Sequence, residues 1–154
     1  MKEAEHLIEA YRLTAHAEGG HFSEVYTAPF EQGGRALAGS IYFLLGPGEV
    51  SRLHEIDCDE IWYYHEGCGM KITALADGEK KEYLLGADTD KGESAMIVIP
   101  AGCIFGAENL DGSGYTFVSC ATVPKFSYGG FRIADASEIR EKFGSLYGEV
   151  KHLL

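Results

Sequence analysis

The chain has 154 residues, of which 45% are hydrophobic and 24% charged, a composition that fits one globular domain with one substantial core and excludes long disordered tracts. Its formal net charge of -11 repels a nucleic-acid backbone, and Lys80-Lys81 is the only adjacent basic pair, so DNA and RNA are excluded as expected partners. No apolar run approaches the roughly 18 residues that span a bilayer, and the acidic, amphipathic start MKEAEHLIEAYR lacks the form of an export leader, so a cytoplasmic protein without membrane contact is expected.

In chain order, Leu7, Ile8 and Tyr11 fall at helical spacing and predict a short helix over residues 3–12. Strands follow. Gly19-Gly20 precedes a run from Phe22 to Thr27, and Ser40 to Leu45 reads as a strand buried on both faces. Further strands are predicted at Val50–His54, Glu60–His65, Met70–Leu75, Lys81–Leu85, Ser94–Ile99, Tyr115–Val123 and Phe131–Ile133. Turn signals such as Gly46-Pro47-Gly48, Asp77-Gly78 and Asp111-Gly112 separate them. Asp135-Ala136-Ser137-Glu138 has the form of a capping box ahead of Ile139, Phe143, Leu146 and Val150, which share one helical face. The expectation is a single domain over 1–154, with a β core at about 20–134 and a C-terminal helix at about 137–152. Cys58, Cys68, Cys103 and Cys120 form no CxxC pair, so free thiols are expected.

The chemistry concentrates in GEVSRLHEIDCDEIW, Gly48 to Trp62. Side chains alternate along strands, so His54 shares a face with Ile56, and Glu60 with Trp62 and Tyr64; a hairpin pairing of the two strands would bring His54 and Glu60 together. These spacings resemble the first motif of the cupin superfamily, G-x5-H-x-H-x3-E-x6-G, at Gly48, His54, Glu60 and Gly67, with Ile56 in place of the second histidine. The second cupin motif is similar to Gly92–Asn109: Pro100, Gly102 and Asn109 fit, and Phe105 stands where a third histidine is common. The flanking runs His16–Tyr26 and Ile41–Leu45 look like a branch of small cupins. The resemblance implies an all-β fold, the cupin double-stranded β-helix or jelly-roll barrel with short terminal helices, commonly assembled as a homodimer.

Three functions follow from it. The first is a small-molecule binding module, with Glu24, Tyr26, Arg52, His54, Glu60, Trp62, Tyr64 and Phe105 contacting a partly apolar, sugar-like or aromatic ligand in the barrel. The second is a metal-independent isomerase or epimerase, because Ser51–His54 and Gly20–Glu24 also look like segments of the dTDP-sugar 3,5-epimerases. That resemblance implies His54 as base, Tyr64 or Tyr128 as acid, and Asp57 or Glu60 as the group that orients the imidazole. The third is a divalent metal at His54 and Glu60; with Ile56 and Phe105 offering no donors, no cofactor is expected. The plain structural alternative for His54 and Glu60 is a buried hydrogen-bonded pair. Glu18-Gly19-Gly20 reads as a tight turn, and His16, His21 and His65 have no partner that the sequence identifies.

Overall fold

A computed structural model describes residues 2–154. Helix α1 (Lys2–Ala10) opens the chain and packs Ala4 and Leu7 with Leu13 over Leu44 and Phe117. Thirteen strands follow: β1 (Thr14–Ala15), β2 (His21–Thr27), β3 (Glu31–Gln32), β4 (Arg35–Ala36), β5 (Gly39–Leu45), β6 (Val50–Ile56), β7 (Asp59–Gly67), β8 (Met70–Ala76), β9 (Glu79–Leu85), β10 (Met96–Ile99), β11 (Ile104–Asn109), β12 (Thr116–Val123) and β13 (Phe131–Ile133). They form a six-stranded sheet, β1-β2-β5-β12-β7-β10, and a five-stranded sheet, β13-β6-β11-β8-β9, with β3 and β4 as a separate ribbon. Every named pairing is antiparallel. The two sheets close on a core of Phe43, Trp62, Met70, Ile72, Ile99, Phe105 and Val118, which gives the jelly-roll architecture.

The predicted strands are present, most of them one or two residues longer, but the hairpin of β6 and β7 is not. The two strands lie in different sheets, joined at Asp57-Cys58, so His54 and Glu60 approach across the barrel instead of along a ladder. Strand β11 escaped the propensity reading because Gly106 interrupts it. A Cβ there would lie 2.7 Å from the Ser51 carbonyl, so the small residue permits the close passage of β11 and β6.

Strand β6 presents two faces to two cores. Ile56 points into the barrel, whereas Leu53 joins Leu75, Ile104, Ile139, Phe143, Val150 and Leu153 in a second cluster beneath the C-terminal segment. That segment is not the continuous helix expected over 137–152. Helix α2 (Ala136–Phe143) ends where Phe143 takes φ -135° and ψ 36°, a 3₁₀ turn spans Gly144–Leu146, and α3 (Tyr147–Val150) leads into a second 3₁₀ turn. Glycine weakens the helix at this point, and the break lets Val150 and Leu153 reach the sheet. The predicted capping box is half formed: Asp135 Oδ1 accepts from the Glu138 N–H at 2.8 Å, while the Glu138 carboxylate turns to Arg132 and Lys142. Among the described residues no helix is long and apolar enough to cross a membrane.

Candidate functional site

A cavity of about 190 Å³ opens at one end of the barrel, bounded by β2, β5, β6, the start of β7, the end of β12 and the segment that follows β12. Its size exceeds the roughly 150 Å³ known to admit benzene, so it suits a molecule of about seven or eight heavy atoms. Phe22, Ile41, Ile56 and Phe126 give it apolar walls, and its acidic and basic groups are His16, Glu18, Glu24, His54, Glu60 and Lys125.

The floor is built by the Glu18-Gly19-Gly20 turn. Gly19 has φ 110° and Gly20 φ 74°, as the sequence anticipates for a tight turn. A Cβ on Gly19 would sit 2.2 Å from the Val50 carbonyl, so only glycine lets the turn lie flat on β6. The Glu18 carbonyl accepts from the Arg52 N–H at 2.8 Å, and the Glu18 side chain then reaches two β6 residues. Its Oε1 accepts from the Ser51 hydroxyl at 2.9 Å, and its Oε2 lies 3.0 Å from His54 Nε2. The other nitrogen of that ring, Nδ1, donates to the Arg52 carbonyl at 2.6 Å. With Glu18 ionised, both nitrogens donate and the ring is an imidazolium. Burial disfavours both charges, but the mutual attraction outweighs it, so the Glu18 pKa is lowered and the His54 pKa raised.

Glu60 behaves differently. It is 8% exposed, and burial together with the Glu18 charge pushes its pKa up to about 7. The His54 charge, the Cys120 thiol and the Trp62 indole N–H favour its ionised form but do not offset burial and Glu18, and the indole makes no well-formed hydrogen bond among the described residues. One cavity therefore holds a carboxylate fixed in its charged form and a carboxyl that exchanges its proton near neutral pH.

Of the residues expected at the site, Glu24, Tyr26, His54 and Glu60 line the cavity. Glu24 lies at the mouth, where its carboxylate receives Lys125 Nζ at 2.8 Å, and Tyr26 is 52% exposed. Tyr128 also lines the mouth. The other four lie outside the lining. Arg52 points outward, its guanidinium donating to the Ala17 carbonyl, and serves the site only through its backbone. Trp62 and Phe105 are 1% exposed and pack behind the floor, with Phe105 4.3 Å from the His54 ring centroid. Tyr64 donates its hydroxyl to the Gly67 carbonyl, several residues along β7 from Glu60. Asp57 is held by Arg35 and does not touch His54, whose orienting partner is Glu18. Both nitrogens of His54 are engaged within the protein, so the ring has none free to take a proton from a ligand.

Sequence reasoning missed Glu18, His16, Ser51 and Lys125. The one available signal was the double glycine after Glu18, which marks a close backbone approach as well as a turn.

The geometry of a two-sheet barrel with its polar groups at one mouth accords with the sequence comparison. The sequence profile described as Cupin superfamily (DUF985) matches residues 5–134. The chain belongs to this cupin family. It is 27% identical over 141 residues to the Uncharacterized protein YML079W of Saccharomyces cerevisiae, covering 79% of this chain and 70% of the yeast protein. Among solved structures, this cupin is similar to protein SO0799 of Shewanella oneidensis, with a TM-score of 0.93, 32% identity, and 97% of this chain and 96% of that one covered. A hypothetical protein from Leishmania major gives a TM-score of 0.90 at 30% identity, with 97% of each chain covered. The oxalate decarboxylase of Bacillus subtilis shares the fold alone, with a TM-score of 0.60 at 18% identity over 91% of this chain and 36% of that enzyme.

Many cupins hold a metal at the motif positions, but the residues of this cupin do not fit one. The motif positions supply isoleucine at 56 and phenylalanine at 105, and His54 spends both nitrogens on Glu18 and Arg52. Among the described residues no group of three His, Cys, Asp or Glu side chains is arranged to hold a metal ion.

Proposed function

We propose that this cupin binds a compact, partly apolar carbonyl compound in the barrel cavity and moves a proton on it, with Glu60 as the group that carries the proton. The observation that supports this most directly is the buried Glu60 carboxyl, which among the described residues has no cationic side chain in hydrogen-bonded contact, and whose pKa is raised to about 7. A group that titrates near the working pH is best suited to general acid–base catalysis, because it both takes and returns a proton readily. Glu18 is too firmly ionised for that role, and the Glu18–His54 pair acts instead as a fixed polar floor.

In the step, ionised Glu60 takes a hydrogen from the carbon beside the carbonyl. The C–H bond breaks, a Glu60 O–H bond forms, and the electron pair makes a C=C bond while the carbonyl oxygen becomes an enolate. Return to the same carbon after Glu60 has swapped its proton with solvent exchanges the hydrogen, return after the planar enolate has turned its other face to Glu60 inverts the centre, and return to a neighbouring position isomerises the compound. No oxidant or reductant is consumed. The reading is an isomerase or epimerase in class, and the cavity volume restricts its enclosed portion to a small ring or short chain.

Cyclohexanone fits that volume and carries exchangeable α-hydrogens. Incubated in D₂O with the wild-type protein, it should gain deuterium faster than in buffer, and Glu60→Gln should remove the gain. Equal exchange with both proteins would overturn the role of Glu60. Binding without any exchange would reduce the cavity to a binding site.

A further inference from the structure

The cavity contains a second imidazole, His16, which the floor and the proposed proton transfer leave unused. Its side chain is only 7% exposed, yet it lines the cavity. The Glu18 backbone N–H donates to His16 Nδ1 at 3.2 Å. A backbone amide can only donate, so Nδ1 holds a lone pair, and the proton of the ring resides on Nε2. A proton on Nδ1 would oppose N–H to N–H.

The surroundings favour the same state. Phe22, Phe131 and Phe126 present their rings edge-on at centroid distances of 4.7, 6.1 and 6.4 Å, which gives His16 apolar flanks. Burial and the neighbouring His54 charge lower the His16 pKa, more strongly than the Glu18 carboxylate, 3.7 Å from Nδ1, raises it. Nε2–H makes no hydrogen bond to any described residue, and it is not one of the sealed, unpartnered polar atoms of the interior, so it is open to an acceptor that enters the cavity.

We infer that His16 is the oxygen-binding residue of the cavity, a neutral imidazole whose Nε2–H donates to the carbonyl oxygen of a ligand held in the same cavity as the acid–base carboxyl of Glu60. The inference rests on the proposed proton transfer for its chemical context, and it narrows the ligand to molecules with an acceptor oxygen beside the reacting carbon. A neutral imidazole suits that position, because it stabilises the developing enolate without surrendering a full charge to the resting site. The device that sets the tautomer is the same turn that delivers Glu18, so one short segment places both the fixed carboxylate and the donor.

Two measurements on the full chain test this. In ¹⁵N-histidine-labelled protein, His16 should show a protonated Nε2 and a bare Nδ1 from pH 7 to 8; a Nδ1–H tautomer or an imidazolium at pH 7 would overturn the inference. Cyclohexanone should bind about tenfold more tightly than methylenecyclohexane, its near-isostere without the oxygen, and should shift the Nε2–H resonance. His16→Phe should erase that preference, and His16→Gln, which keeps a donor, should restore part of it. Wild-type protein that binds both probes equally, or neither, sinks the inference. Ketone preference without deuterium exchange would instead leave His16 in place and count against the role of Glu60.

Discussion

Glu60 is the residue on which the pH behaviour of the molecule turns. Its carboxyl titrates at about 7 in the folded protein and at about 4.5 when unfolded, so the folded state binds the extra proton between these values. Stability from this group is therefore complete below pH 4.5 and is lost as pH rises through 7. At 1.36 kcal/mol per pKa unit the loss amounts to roughly 3 kcal/mol. Glu18, whose pKa is lowered, and His54, whose pKa is raised, contribute with their own signs and remain in both proteins. Urea unfolding at pH 4 and pH 8 should show Glu60→Gln gaining on wild type by roughly 3 kcal/mol across that interval. A constant difference between the two proteins at both pH values would contradict the assigned titration.

The Gly19 turn makes the corresponding prediction for an element. At φ 110° and with its missing Cβ 2.2 Å from the Val50 carbonyl, Gly19→Ala must lift the turn from β6. Strain and displacement together should cost about 2–3 kcal/mol or more. Gly33 is the control: its φ is 60° with open space around it, so Gly33→Ala pays for backbone strain alone, about 1 kcal/mol. The decisive readout is the His54 pKa measured by NMR. It should fall in Gly19→Ala, because Glu18 moves away with the turn, and stay unchanged in Gly33→Ala.

For the whole molecule, the C-terminal segment is a structural wall of the barrel. Ile139 is fully buried on Leu53, Leu75 and Ile104, so Ile139→Ala should lower stability by about 2–5 kcal/mol in a urea melt. Because β6 belongs to both clusters, the loss should appear as one cooperative transition and not as separate release of the tail. Most of this barrel was legible in the sequence, since alternation and turn residues mark strands locally, and the spacing of Gly48, His54, Glu60, Gly67, Pro100, Gly102 and Asn109 resembles the cupin motifs. The site was legible only in part. His54 and Glu60 could be read from their spacing, but the Glu18 contact with Ser51 spans 33 positions, and His16 is fixed by a backbone amide that no side-chain pattern reveals. Alternation also put Trp62 and Tyr64 on the face of Glu60, yet β7 is nine residues long and only its first turn of the pleat reaches the cavity.

The burial of Trp62 has an optical consequence. It is the only tryptophan among 154 residues, its ring is 1% exposed, and it follows Glu60 on the same face of β7. Ionisation of Glu60 places a negative charge beside the indole nitrogen, so the emission spectrum should titrate with a midpoint near pH 7 and lose that titration in Glu60→Gln. The protein thus carries its own fluorophore beside the group whose proton matters, and the cavity can be followed by light without a label.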